Sequence, residues 1–130
     1  MPMQVELVSP ERILFSGEAD MVTCRTESGD IAFLPNHAPF LGTLQTHPVK
    51  IVLTGGGEEP VAVRGGLVEV SNNRVIILSD EAHLQAHIDV EQAEREKDEA
   101  ERKLMDTDDA MCEAQLRWAH VRLNVARGDI

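Results

Sequence analysis

The sequence predicts a mainly β protein with α-helices at its end: a β-sandwich over residues 1–84, followed by an antiparallel two-helix hairpin over residues 88–130. Three observations lead to this fold class. Apolar and polar residues alternate in short runs up to about residue 80, turn residues recur between those runs, and from about Ile88 the chain becomes charged with helical spacing. Parallel strand–helix–strand units are not expected, because no helix-length segment separates the runs.

The strand predictions rest on alternation at residues 4–7, 49–53 and 61–63. The strongest hairpin signal is LVEVSNNRVIIL, in which two β-rich runs flank Asn72 and Asn73, residues that tolerate the left-handed turn conformation. Turn residues separate the runs at Ser9-Pro10, Ser16-Gly17, Ser28-Gly29, 55–57 and 65–66. Many short strands at such regular spacing are typical of a sandwich or a flattened barrel.

The helix predictions rest on composition and on end signals. The stretch DVEQAEREKDEAERKLM is charged and helix-favouring, with acidic residues four positions ahead of basic ones. The segment Asp106–Asp109 then supplies N-cap residues for a second helix. That helix is predicted from about Ala110 to Arg127, before Gly128 at the expected stop. The short connection makes the two helices antiparallel.

The apolar rows on the helices indicate how they are buried. A row on the first helix and a row on the second are predicted to face each other: Val90, Ala93, Lys97, Ala100 and Leu104 against Met111, Ala114, Trp118, Val121 and Val125. The second helix carries a further row of Cys112, Leu116, Ala119, Leu123 and Ala126. One neighbouring helix cannot bury both rows. The second neighbour is either the β half of this chain or another protein.

The composition argues against several classes of function. The 130 residues carry a net charge of −11, whereas nucleic-acid and anionic-lipid surfaces need clustered Lys and Arg. Hydrophobic residues make up 42% and aromatic residues 3%, so the core is expected to be aliphatic. No stretch approaches the roughly 18 apolar residues of a membrane span, and the start MPMQVELV lacks a signal-peptide layout, so any membrane contact is expected to be peripheral. Cys24 and Cys112 are expected to be reduced and buried.

The most unusual stretch is FLPNHAPF, residues 33–40, here called the docking loop. No nucleophile motif accompanies His37, so a structural or interface role is favoured over catalysis. His83 and His87 have metal-ligand spacing in HLQAH, but the glutamate of His-Glu-x-x-His is missing, and a solvated helix start is favoured. No catalytic residue, metal or cofactor is therefore predicted. A stiff loop and a helix with a spare apolar face point to protein contacts.

Several stretches resemble the epsilon subunit of the bacterial and chloroplast F-type ATP synthase, which is equivalent to the mitochondrial delta subunit. They are LVSPERILFSGEADMV, SGDIAFLPNHAPFLGTL, RGGLVEVSNNRVIILSDEA and HID at 87–89. The elements Leu-Pro-x-His-Ala-Pro and Gly-Gly-x-x-Glu-Val are the specific part of the resemblance. The sequence departs from the family pattern where Ala32 replaces a glycine, Ser79 an alanine and Gln92 an arginine.

The resemblance implies a non-enzymatic central-stalk subunit that links the gamma subunit to the c ring and couples proton translocation to ATP synthesis. It implies a peripheral position at the cytoplasmic face of the cell membrane. The implied gamma contacts are in the docking loop, at Phe33, Pro35, His37, Pro39 and Phe40. The implied c-ring contacts are Ser28, Gly29 and Asp30, for which an ordinary acidic turn is the competing interpretation. A free-standing adaptor that uses the same surfaces is the alternative function, and an enzyme is the third.

The resemblance also implies regulation. In the family the hairpin lies folded on the β domain or extends along gamma toward the alpha/beta catalytic head, where it inhibits ATP hydrolysis. Arg117, Arg122 and Arg127 are candidates for contacts with that head, although they also suit the negative end of the helix dipole. The family's nucleotide motif falls on Ile88, Asp89, Gln92 and Ala93. Because glutamine stands where the motif has arginine, ATP binding is expected to be weak or absent.

Overall fold

The computed structural model describes residues 1–129. Nine strands and a short 3-10 helix at Gln85–His87 precede two α-helices. The strands are β1 Met3–Val8, β2 Ile13–Thr26, β3 Gly29–Phe33, β4 Phe40–Leu44, β5 His47–Leu53, β6 Glu58–Val63, β7 Gly66–Ser71, β8 Arg74–Leu78 and β9 Ala82–Leu84. The helices are α1 Val90–Asp106 and α2 Ala110–Arg127. The predicted fold class, a β-sandwich followed by an antiparallel helical hairpin, is confirmed.

The strands pair in the order β1-β8-β7-β4-β2-β5-β6-β9, with β3 added beside β2. Strand β1 also pairs with the start of β2, so the pairing returns on itself as in a flattened barrel. The later part of β2 pairs with β3 and β5, and this strand therefore serves both layers. Between the layers lies one aliphatic core that includes Val5, Val22, Ile51, Val68 and Ile77.

The predicted break at Ser16-Gly17 is wrong, because both residues lie inside the 14-residue strand β2. Gly17 pairs with Val5 of β1, and the ring of Phe15 covers it. A Cβ on Gly17 would stand 3.2 Å from that ring. An aromatic ring two residues away fills the space that a glycine leaves in a strand, which local turn propensity does not reveal.

The β7–β8 hairpin forms at Asn72 and Asn73 as predicted, with φ values of 51° and 60°. Two residues in the left-handed region make the type I′ turn that matches strand twist. At the start of β7, Gly66 has φ 130°, and a Cβ there would lie 2.0 Å from the carbonyl oxygen of Leu78. The second glycine of the Gly-Gly-x-x-Glu-Val element is therefore needed because a side chain at position 66 would clash with the backbone of Leu78.

The helix start proposed for HLQAH is also wrong. His83 lies in strand β9, where it pairs with Ala62, and His87 ends the 3-10 helix that follows. The two imidazoles therefore do not share a face of an α-helix. Strand β9 was not predicted from the sequence because it has only three residues, too few to show an alternating pattern.

The helix ends follow the capping signals. The side chain of Asp89 accepts a hydrogen bond from the backbone N–H of Gln92 and starts α1 at Val90. Asp109 accepts from the N–H of Met111 and starts α2. Gly128, with φ 78° in the left-handed region, ends α2 as predicted.

Helix α2 lies between α1 and the sheet, on β5 and β6. The second neighbour of α2 is thus the β half of this chain in this structure. Their contact, here called the docking seam, consists of Ile88, Ala62, Trp118, Val121 and Val125. The predicted α1–α2 row is wrong: Trp118, Val121 and Val125 were expected to face α1 but lie in this seam with Ala62, and Met111 and Ala114 of the same row are exposed. The hairpin is exposed at every position from 105 to 111, so its tip is uncovered, and burial on α2 begins at Cys112.

Candidate functional site

The docking loop has a fixed backbone. The N–H of His37 donates to the carbonyl oxygen of Leu34 at 3.1 Å, which closes a four-residue turn. Pro35 occupies the second position of this turn, and Asn36, with φ 66°, occupies the third. Proline followed by a residue with positive φ is the signature of a type II turn. The unusual composition of the loop therefore encodes one turn shape.

Asn73 ties the docking loop to the rest of the β half. Its Oδ1 accepts the backbone N–H of Asn36 at 2.9 Å, and its Nδ2 donates to the carbonyl oxygen of Pro2 at 2.9 Å. One amide thus connects the loop, the β7–β8 turn and the start of the chain. Sequence reasoning assigned Asn73 only to a turn, because its partner Asn36 is 37 positions away.

Aromatic packing supports the loop from below. Phe33 is fully buried, and its ring meets the His37 imidazole edge-on, with the ring centroids 5.0 Å apart. The Phe40 ring lies 5.4 Å from Phe33 on the other side. The Nδ1 of His37 donates to the carbonyl oxygen of Ala38 at 2.7 Å. Within residues 1–129, His37 makes no hydrogen bond to a carboxylate or a nucleophile, and its imidazole packs on Phe33.

Beside the loop, the sheet presents apolar side chains to solvent. Leu41 on β4 is 70% exposed, and Leu67 on β7 and Leu78 on β8 are 43% and 46% exposed. Leu67 and Leu78 are direct cross-strand neighbours, and Leu34 in the loop is 54% exposed. We call Leu41, Leu67 and Leu78 the outer apolar face. Sequence reasoning missed this face because alternation does not say which leucines point away from the core.

The predicted c-ring residues form the exposed turn between β2 and β3. The backbone carbonyl of Gly29 accepts from the Thr26 hydroxyl at 3.0 Å, and Ser28 donates its N–H to the same hydroxyl at 3.2 Å. The Asp30 carboxylate is paired with Arg25 at 2.7 Å. The hydrogen bond from Arg25 lowers the pKa of Asp30 from its usual value. Asp30 thus remains ionised and 70% exposed at the edge of the sheet.

The residues of the nucleotide motif have structural roles in this posture. Ile88 packs in the docking seam, Asp89 caps α1 and Ala93 is fully buried. Gln92 is exposed on the first turn of α1. All three matching positions are therefore explained by the fold of the hairpin alone.

The predicted catalytic-head residues do not form one surface here. Arg122 is 6% exposed, lies 2.6 Å from the Glu96 carboxylate and stacks over the Trp118 ring at 5.1 Å. Arg127 lies 3.5 Å from Glu94, so both of these arginines hold α2 to α1. Arg117 is exposed on another side of α2. In the folded posture Arg122 is not accessible to another subunit.

Other candidate chemistry can be checked over the part of the chain that the structure describes. There, no group of three or more His, Cys, Asp or Glu side chains is arranged to hold a metal ion. Neither α1 nor α2 is long and apolar enough to cross a membrane. Cys24 and Cys112 are free and buried as predicted, and burial, with a smaller effect from Asp30, raises the pKa of Cys24 to about 12.

The chain combines a β-sandwich that carries an exposed loop with a helical hairpin docked on its sheet. Residues 2–85 match the model described as "ATP synthase, Delta/Epsilon chain, beta-sandwich domain". The chain belongs to this family, and it is homologous to the ATP synthase epsilon chain, a non-catalytic subunit of that complex.

Relatives match over most of the chain. The ATP synthase epsilon chain of Streptomyces coelicolor is 40% identical over 126 residues, covering 97% of this chain and 96% of that one. The epsilon chain of Brevibacillus brevis is 44% identical over 102 residues, covering 78% and 77%. A chain in the Euglena gracilis mitochondrial ATP synthase structure has the same fold, with a TM-score of 0.77 at 20% identity, covering 98% of this chain and 81% of that one.

Proposed function

We propose that this chain works in the central stalk of an F-type ATP synthase, where its β-sandwich connects the gamma subunit to the c ring and so couples proton translocation to ATP synthesis. The complex would hold it peripherally at the cytoplasmic face of the cell membrane. Family membership and near-full-length relatives named ATP synthase epsilon chain support the proposal. The observation that carries it is the docking loop, held rigid beside exposed leucines.

The gamma-binding surface is assigned to the loop and the outer apolar face together. Pro39 is exposed, Pro35, His37 and Phe40 are half-buried, and Phe33 supports the loop from the core. Leu41 adds the largest exposed apolar side chain of β4. A loop that is already ordered loses little conformational entropy on binding, so more of the contact energy remains as affinity.

The c-ring contact is assigned to the turn of Ser28, Gly29 and Asp30. Arg25 holds the Asp30 carboxylate at a fixed position while leaving it exposed. A carboxylate that is held in place and still exposed suits a polar contact with the c ring, because an ordered group loses little conformational entropy on binding.

The hairpin is assigned the inhibitory role, which requires it to leave the sheet. Extension toward the catalytic head would separate α2 from β5 and β6 and uncover Trp118. Arg117 and Arg127 are exposed already, whereas Arg122 becomes accessible only when its pairing with Glu96 is broken. The Arg122–Glu96 pair joins α2 to α1, so it favours the closed hairpin.

The test is the affinity of the purified chain for the gamma subunit, measured with surface variants. We expect Leu41→Asp to weaken binding by about 100-fold and His37→Ala by about ten-fold, since each 1.4 kcal/mol is a factor of ten. Met111→Asp is the matched control, because Met111 is 80% exposed on the hairpin and away from the loop. The Met111→Asp variant should bind gamma with the affinity of the wild-type chain.

The proposal fails if a tagged wild-type chain does not bring down gamma. It also fails if the control variant loses as much affinity as Leu41→Asp. Circular dichroism of each variant separates a lost contact from a lost fold.

A further inference from the structure

A single carboxylate lies in the middle of the outer apolar face. Glu69 on β7 pairs across the sheet with Leu41 on β4 and with Ile76 on β8. Its strand neighbours Val68 and Val70 point into the core, at 0% and 2% exposure, so the side chain of Glu69 points outward with the leucines. Glu69 is exposed, and apolar side chains flank its charge on both sides.

The charge of Glu69 has no partner within residues 1–129. The other acid in the same cross-strand row, Glu6 on β1, pairs with Arg74 of β8. No ion pair or side-chain hydrogen bond of the described residues involves Glu69. Water solvates its carboxylate in the free chain, as is ordinary for an exposed acid. A partner that covers the outer apolar face removes that water and meets an unpaired charge.

A second unpaired carboxylate borders a cavity at the end of the same face. The cavity has a volume of about 360 Å³, and its apolar walls include Val8, Pro10, Leu67 and Leu78. Among the described residues, Asp80 is the one charged residue that lines it; Asp80 is exposed and makes no ion pair there. A long side chain with an apolar stem and a cationic head fits this cavity, because the stem packs on the leucines while the head reaches the carboxylate.

The two carboxylates are too far apart to share one cation. Leu78 lies two residues beyond Ile76 on β8, which is roughly 7 Å along the strand. The N–H of Ser79 still donates to the carbonyl oxygen of Val8 on β1, so the chain continues in the strand direction toward Asp80. Each carboxylate therefore requires its own partner.

We propose that gamma covers the outer apolar face with a basic surface, which brings one arginine or lysine to Glu69 and a second into the cavity at Asp80. This inference rests on the proposed assignment of the face to gamma and adds the chemistry that the gamma surface must have. A carboxylate that is buried without a partner strongly destabilises a complex. A cation opposite each carboxylate removes that penalty, and the same carboxylates repel an acidic surface of similar shape.

The response to salt separates these pairs from general attraction. The net charge of −11 attracts any cationic protein at long range, and salt screens that attraction. Pairs inside a covered apolar face are screened much less. The share of gamma affinity that depends on Glu69 and Asp80 should therefore persist at high salt.

The experiment measures the affinity of the full chain for purified gamma at about 0.1 M and about 1 M salt, where the screening length is about 10 Å and about 3 Å. Glu69→Gln keeps the size of the side chain and removes its charge, and it should weaken binding at least about ten-fold at both salt concentrations. Asp80→Asn should also weaken binding by about ten-fold. Glu69→Lys places a cation against a cation and should weaken binding by about 100-fold or more.

Glu101→Gln is the matched control. Glu101 is an exposed acid of α1 that makes no ion pair within residues 1–129, and its substitution changes the net charge by the same amount. This variant should bind gamma within about two-fold of the wild-type affinity. Urea denaturation of all four variants should match the wild-type chain, so that lost affinity reports a lost contact.

Unchanged or tighter binding by Glu69→Gln would overturn the inference, because gamma would then supply no cation at that position. Equal losses in Glu69→Gln and Glu101→Gln would overturn it as well, since affinity would follow net charge, and so would a Glu69→Gln effect that vanishes at high salt. Unchanged binding by Asp80→Asn would remove the second cation. If Glu69→Gln binds like the wild-type chain while Leu41→Asp does not, the gamma assignment stands and only its charge chemistry is wrong. A wild-type chain that does not bind gamma would overturn both.

Discussion

The β-sandwich and the helical hairpin are stabilised in different ways. The sandwich surrounds an aliphatic core in which Val5, Val22, Ile51 and Ile77 are fully buried. Helix α1 buries only two alanines, and exposed ion pairs such as Glu94–Arg127 join it to α2. Apolar burial contributes roughly 25 cal/mol per Å², whereas exposed ion pairs contribute little. The sandwich is thus specified by its own core, and the hairpin depends on its contact with the sandwich.

This difference matches the proposed division of function. A part that keeps a fixed contact inside the central stalk needs a rigid loop on a stable core. A part that changes posture needs an interface small enough to open. The docking seam is such an interface. Trp118 is its one large side chain, and β6 contributes the small residue Ala62. The predictions below act on one region or the other.

The largest effect is expected from Gly66→Ala in the sandwich. The added Cβ would lie 2.0 Å from the carbonyl oxygen of Leu78 at a φ of 130°, so the backbone of β7 must shift. We expect a loss of about 5 kcal/mol in the free energy of unfolding, in the range reserved for severe steric or core defects. Urea denaturation measures it.

Gly55→Ala is the matched control for that variant. Its φ is 91°, but no atom lies within 4 Å of the added Cβ. Only the left-handed backbone is then strained, which costs about 1–2 kcal/mol. Equal destabilisation by the two variants would show that the close contact at Gly66 does not matter.

The next largest effect is expected from Trp118→Ala in the hairpin. Trp118 is 3% exposed and contacts both His83 of β9 and Arg122. Truncating a buried tryptophan costs about 3–5 kcal/mol, and we expect that loss to fall on docking of the hairpin. Hydrogen exchange should become faster in α1 and α2 and stay slow in the sandwich. Met111→Ala should leave the hydrogen-exchange rates of the hairpin and of the sandwich unchanged. If Trp118→Ala speeds exchange in the sandwich as well as in the hairpin, the hairpin does not undock as a separate unit.

A smaller effect concerns nucleotide binding at the start of α1. We expect the wild-type chain to bind ATP at least about ten-fold more weakly than Gln92→Arg, because a hydrogen bond to a charged group contributes more than a neutral one. Asp89 is already engaged as the cap of α1. Ala114→Arg adds the same charge to an exposed position of α2 and should not restore binding. Micromolar affinity of the wild-type chain in calorimetry would refute the expectation.

The smallest effect is expected from Asn73→Gly, which keeps the φ of 60° but removes the amide that holds Asn36 and Pro2. We expect a loss of about 1 kcal/mol in stability and roughly five-fold in gamma affinity, since the two neutral hydrogen bonds lost are at least partly exposed and contribute about 0.5 kcal/mol each. Asn72→Gly, at φ 51°, is the control. Faster exchange of the Asn36 amide should accompany the loss, and unchanged exchange there would rule out a positioning role.

Local signals predicted the elements of both regions well. Asn72-Asn73, Asp109 and Gly128 each act through neighbours in sequence, and each marks the end it was expected to mark. Long-range contacts decided the rest. Phe15 covers Gly17 inside β2, and the parallel pairing of β1 with β8 joins residues about 70 positions apart, as at Gln4 and Arg74.

In the candidate site, too, local features were predicted from the sequence and long-range contacts were not. The stiffness of the docking loop could be read from its prolines, but its attachment through Asn73 could not, since hydrogen bonds between distant loops leave no local pattern. Arg122 looked like a surface cation because charged residues are rarely buried. The pairing of Arg122 with Glu96 and its stacking on Trp118 explain why Arg122 is nevertheless buried.

The central claim is that the sandwich alone makes the stalk contact and that the hairpin is separable from it. The direct measurement compares the gamma affinity of residues 1–87 with that of the full chain, after confirming that the fragment unfolds cooperatively on heating. We predict a cooperative transition and dissociation constants equal within about three-fold, less than 0.7 kcal/mol apart. An unfolded fragment, or a folded fragment that binds gamma more than about ten-fold more weakly, would contradict the account.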